Sequence, residues 1–159
     1  MATLFQLFVW CEQTGLGTAV RNSTWMFPVI EIVHILAFGA LGGAVLLVDL
    51  RALGFALPEV AVRQLSDGAR PVLNLALVAI TVSGVLLFLS EATKCYGNPA
   101  FWLKMGLFVL AILFTATVRR RRLADEQGAE SDRPGRLVAL ISLTLWFGVG
   151  TAGRGIGFW

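Results

Sequence analysis

WMFPVIEIVHILAFGALGGAVLLVDL, residues 25–50, carries only two formal charges, Glu31 and Asp49, together with the chain's single histidine, His34. As a helix at 1.5 Å per residue it is roughly 39 Å long, more than the ~30 Å hydrocarbon core of a bilayer. It has no polar stripe of the kind a helix on a soluble core shows. Pro28 falls in its first turn, where a missing N–H costs nothing. The turn-rich stretch before it, Gly15, Gly17 and Asn22-Ser23-Thr24, ends in an N-cap pattern.

Working outward, three more apolar runs are bounded by turn signals. They lie at about 71–91 after Arg70-Pro71, at about 99–118 after Asn98-Pro99, and at about 136–152, running out in Gly153, Gly155 and Gly157. Composition agrees, with 57% hydrophobic and 14% charged residues and a mean hydropathy of +0.76, outside the range of ordinary soluble domains. The expected fold is all-α: one integral membrane four-helix bundle over residues 1–159. Residues 4–10 are apolar but short and lack a basic lead, which predicts a short N-terminal interfacial helix rather than a cleaved signal.

Four spans put the loops after the first and third on one side. Those loops hold Arg51, Arg63, Arg70, Arg119, Arg120, Arg121, Arg122, Arg133 and Arg136, against Arg21, Lys94 and Arg154 on the other. The positive-inside rule then places both termini outside, in a bacterial inner (cell) membrane, with the lipid bilayer as the first partner. The four-arginine run reads as a headgroup anchor and not as a nucleic-acid site. The charges at Asp49-x-Arg51 and from Asp67 to Arg70 read as solvated pairs. A shift of 63 positions lays Arg70-Pro71 on Arg133-Pro134, Ala76-Leu77 on Ala139-Leu140 and Thr81 on Thr144. The bundle then reads as two tandem helical hairpins, with Asp49-Leu50-Arg51 near Arg119-Arg120-Arg121.

Ionisable groups inside spans are costly, so those present are candidates for function. His34 and Glu31 are an i, i+3 pair, Lys104 enters from the third span, and Glu91 and Arg154 end the second and fourth. All lie in the outer half, which makes that half the place to seek chemistry. Neutral imidazole ligates haem iron and transition metals, and it also serves as a plain hydrogen-bond partner inside a bundle. Lys104 reads either as an inward group or as a lysine that snorkels to the surface. Gly39-x-x-x-Gly43 has helix-packing spacing and also leaves room for a flat macrocycle. The Gly148–Gly157 run follows no strand and is not a dinucleotide loop. Cys11 and Cys95 share the outer side, where a disulfide between them is open, and there is no C-x-x-C-H for covalent haem.

Glu31-Ile-Val-His34-Ile-Leu and Asn98-Pro-Ala-Phe-Trp102-Leu-Lys104 resemble motifs of small bacterial four-span proteins distantly similar to CopD-like copper-resistance domains and to HemJ-type protoporphyrinogen oxidases. In the HemJ-type family a histidine early in one span and a lysine after a tryptophan early in a later span are associated with haem b. The resemblance implies a haem b (iron) cofactor held by His34 and Lys104 as metal ligands, with Glu31, Trp102 and Arg154 around it. Lys104 or Arg154 would serve the propionates, and Glu31 would orient the imidazole. It also implies electron transfer or haem-linked redox chemistry with a quinone or a redox partner protein. The further polar motif residues of that family have no counterpart here, and three methionines with one histidine argue against copper import. The competing expectation is an accessory subunit of a larger membrane complex or homo-oligomer.

Overall fold

The computed structural model describes residues 2–119, 121–122 and 133–158. These residues are helical with no strand: α1 (Ala2–Glu12), α2 (Gly15–Asn22), α3 (Met26–Leu53), α4 (Val62–Ser90), α5 (Ala92–Gly97), α6 (Pro99–Phe114), and α7 (Arg133–Gly155). α6 runs into a π-helical turn, Thr115–Arg119, and α7 into a 3-10 turn, Ile156–Phe158. Four helices are long and apolar enough to cross a membrane, and their apolar side chains face outward. Leu36 is 66% exposed, Leu75 74% and Phe147 76%, which is tenable only if hydrocarbon covers them.

Each span begins and ends where local chemistry allows. Ser23 Oγ accepts the Met26 N–H at 3.2 Å at the start of α3. Gly54 closes that helix at φ 88°, and the next N–H, from Phe55, returns to the Leu50 carbonyl, the left-handed ending that glycine favours. Asn98 caps α6 by accepting from the Ala100 and Phe101 N–H groups, while its amide donates to the Ile156 carbonyl at 3.1 Å. That last bond ties the start of α6 to the end of α7.

Two boundaries differ from expectation. α4 starts at Val62, nine residues before Pro71, and keeps the proline inside the helix. Val62 packs with Val48, Ala52 and Ala139 in a small core at the α3–α4 loop end of the bundle, and Arg63, Asp67 and Arg70 pair across the first turns. That packing outweighs the one backbone bond the proline forfeits. The glycine-containing stretch before α3 is a helix too, capped by Thr14 Oγ1 on the Gly17 N–H. Its Gly17 lies so close to α4 that an added Cβ would sit 2.4 Å from the Leu89 carbonyl oxygen.

α3 packs most closely on α4, α6 on α7, and α3 on α7. The halves are therefore hairpins, α3–α4 and α6–α7, joined along the α3–α7 seam. The main core lies between them: Leu41, Val45, Ala76, Ile80, Ala111, Trp146 and Val149. Residues paired by the internal repeat behave alike. Ala76 and Ala139 are both buried, and Thr81 and Thr144 each donate to the carbonyl four residues back at 2.8 Å.

At the opposite end of the bundle α1 lies against α5. Phe8 is buried in edge contacts with Phe88, Tyr96 and Phe101 and a tilted contact with Trp102. Glu12 accepts the Thr93 N–H at 2.7 Å and pairs with Arg21 at 2.8 Å. Burial opposes its charge, but the Thr93 bonds and Arg21 prevail and hold its carboxyl below the usual range.

Gly17→Ala is expected to lower stability by about 1–3 kcal/mol, since the clash is with backbone that cannot rotate away. Gly15→Ala, with nothing within 4 Å, is the matched control and should leave it unchanged. Thermal unfolding of the detergent-solubilised variants compares the two.

Candidate functional site

His34 points from α3 into the first hairpin. Its Nδ1 lies 2.9 Å from Ser83 Oγ on α4, and a Cβ on Gly84 would come within 3.2 Å of its Cε1. The ring fills a notch that only glycine leaves open. Ser83 donates its one hydroxyl proton to the Ala79 carbonyl at 2.5 Å, so toward the imidazole it accepts. On that assignment Nδ1 carries the proton, which would leave Nε2 as the ring's acceptor nitrogen. The carbonyl of Ile80 is a further acceptor for the ring.

Lys104 occupies the corresponding place in the second hairpin. Its aliphatic stem and Nζ lie 3.5–3.6 Å from where a Cβ on Gly153 of α7 would be. It is half-buried, within Coulombic reach of His34 and Cys95. Each hairpin thus lays one polar side chain over a glycine of its partner helix. The remaining α7 glycines do similar service: Gly148 receives Leu107, Gly150 receives Phe38, and Gly155 receives Ala100. The Gly148–Gly157 run is mainly a packing surface for α3 and α6.

The other candidates do not converge on these two. Glu31 is exposed, and the side chain bonded to the imidazole is that of Ser83. Glu91 pairs with Lys94. Arg154 stacks over Phe158 at 5.1 Å at the rim. Trp102 is exposed and donates Nε1–H to the Tyr96 carbonyl at 3.0 Å, a tie across the turn before α6. Phe88 and Phe101 stack on each other at 5.7 Å and Phe108 meets Trp146 edge-on. Cys11 and Cys95 are free thiols, both half-buried. Burial first, then the Glu91 charge, push the Cys95 thiol up to about 11. Among the described residues no three His, Cys, Asp or Glu side chains gather as a metal cage.

A second polar centre lies in the arginine-rich half of the bundle, where packing and arginine anchors were expected. Arg119 Nε and Nη2 both donate to Asp49 Oδ1 at 3.0 Å, and the two residues are 3% and 2% exposed. Asp49 therefore does not belong to a solvated pair with Arg51, which instead holds the carbonyls of Val60 and Pro58. Nor is Arg119 a headgroup anchor: the π turn carries it inward beneath α7. Arg120 of the same run lies outside the described residues.

Two features of the sequence could have located these partners. His34 and Ser83 are nearly equidistant from Pro58 in the hairpin loop, as facing residues of an antiparallel pair must be. The repeat alignment already set Asp49 level with Arg119.

This architecture is that of a multi-pass helical membrane protein with two buried polar centres, one per half. Over residues 7–159 the chain matches the model of a family of unknown function, DUF6644, and it belongs to that family. No curated protein and no solved structure matches it.

Asp49→Ala is expected to cost about 3–5 kcal/mol, because it strands a buried guanidinium. The double variant Asp49→Leu/Arg119→Leu should recover most of that loss. Unfolding in mixed detergent micelles, compared across the two variants and wild type, is the measurement.

Proposed function

We propose that the chain is a small membrane cytochrome that binds haem b in the outer half of the bundle, with His34 Nε2 as an axial ligand. One observation carries this reading: Ser83 accepts from Nδ1–H while its own proton goes to Ala79. With Nδ1–H given to Ser83, Nε2 would be unprotonated and available to ligate iron, the arrangement that ligating histidines use. Lys104 is the second ligand or a propionate partner, supported by its half-buried place within Coulombic reach of His34. Arg154 at the rim is a further propionate partner. The likeness of His34 and Trp102-x-Lys104 to the HemJ-type motif supports the same assignment. The haem supplies one-electron chemistry, with electrons exchanged with a quinone or a redox protein. The chain's own work is to hold the imidazole in one tautomer and to keep the site among apolar side chains. The arginine distribution supports a bacterial inner membrane with both termini outside.

Purified protein is expected to show a Soret band that shifts on reduction and is lost in His34→Ala. Ser83→Ala should keep the band but weaken haem retention by about 10–100-fold. A preparation without a Soret band, or a His34→Ala spectrum identical to wild type, sinks the reading. Alkaline phosphatase fused after Trp159 should be active; an inactive enzyme there, with an active fusion in the arginine-rich loop, reverses the orientation.

A second reading, as an accessory subunit, rests on a different observation. Gly39, Gly42 and Gly43 have nothing within 4 Å of an added Cβ among the described residues, so this small-residue face is open to a partner. Gly39 and Gly43, with Ala40, Ala44, Gly68 and Ala69, line a groove between α3 and α4. The same preparation separates the readings, since an accessory subunit co-purifies with a partner helix and has no Soret band of its own.

A further inference from the structure

Four buried side-chain atoms have no hydrogen-bond partner among the described residues: Asp49 Oδ2, Ser142 Oγ, Thr115 Oγ1 and Trp146 Nε1. Ser142 is fully buried and Trp146 is 5% exposed. Their placement is not scattered. Ser142 and Trp146 are one turn apart on α7, and Thr115 and Arg119 one turn apart at the end of α6. Asp49 reaches in from α3, and Ser142 lies beside its carboxylate without forming a good hydrogen bond. Leaving so many groups bare in a dry interior is costly, at about 1–3 kcal/mol each.

The chemistry of the four atoms defines what satisfies them. Oδ2 only accepts, the indole Nε1–H only donates, and the two hydroxyls do both. Asp49 is already neutralised by Arg119 through Oδ1, so the site carries no net charge. An added cation meets the guanidinium, and an added anion meets the bare carboxylate oxygen. A small neutral molecule that donates and accepts at once matches the set. We propose that this centre is a binding site for ordered water, shared by Asp49 Oδ2, Ser142, Thr115 and Trp146, with two or more polar partners for each water held. Leu41, Ala76, Ile80 and Val149 form an apolar layer around Trp146. That layer closes the hydrated site off from His34, which lies fifteen residues along α3 from Asp49, roughly 22 Å. The water site stands independently of any haem.

Hydroxyl-radical footprinting with X-ray pulses, applied to the full chain in detergent, tests it, because bound water generates radicals beside buried side chains. The expected result is oxidation of Trp146 well above that of Phe108 and Leu41 in the same core, after correction for intrinsic reactivity. In Ser142→Ala/Thr115→Val that label should be lost while the exposed Trp25 is labelled as before. Trp146 oxidised no faster than its neighbours overturns the proposal. So does a Trp146 label that survives the double substitution with Trp25 unchanged. Wild type alone decides the first outcome, so the proposal remains testable where the double variant does not fold.

Discussion

The ion pair between Asp49 and Arg119 is a direct polar link from the first hairpin to the second at the arginine-rich end of the bundle. The helices that carry it, α3 and α6, are diagonal neighbours that both pack on α7. Burying two charges there returns little net stability, since desolvation offsets much of the attraction. Geometry is what the pair enforces. A sliding hairpin leaves a carboxylate without its guanidinium, so only one relative height of the two halves is tolerable. The alignment of Phe38 with Gly150 depends on that height.

How much of this was legible in the sequence follows from which forces act locally. The four spans were legible because hydropathy over twenty residues is an average that no single contact overrides, and their caps at Ser23, Gly54 and Asn98 are chemistry between near neighbours. Helix α2 was hidden because Gly15 and Gly17 read as turn residues. Gly17 is there for the close approach of α4, a tertiary fact. Pro71 misled for the same reason: the local rule against proline in a helix yielded to packing at Val62. Of the candidate site, His34 and Lys104 were found by their cost in a membrane. Ser83 was overlooked because serine is ordinary in such helices, and Asp49 because a carboxylate two residues from an arginine looks solvated.

The glycines show that one motif has two outcomes. The spacing Gly39-x-x-x-Gly43 is the familiar sign of a helix contact, yet among the described residues a Cβ at either position would have nothing within 4 Å. Four α7 glycines, at irregular spacing, receive side chains: Gly150 from α3 across the seam, and Gly148, Gly153 and Gly155 from α6 within the second hairpin. What distinguishes them is the neighbour. α7 lies between α3 and α6 and must admit a side chain from each, whereas the glycine face of α3 borders the bilayer.

Asp49 and Arg119 are separated by 70 residues of chain. At synthesis rates of about 5–20 residues per second, the carboxylate waits roughly 4–14 seconds for its guanidinium to be made. During that interval the first hairpin is in the membrane with an unmatched acid near its inner end, and the second does not yet exist. Water and the headgroup layer are its available solvent until then, which explains why the acid stands close to a helix end rather than at mid-bilayer. Biogenesis, as much as the finished fold, sets how deep this charge can be.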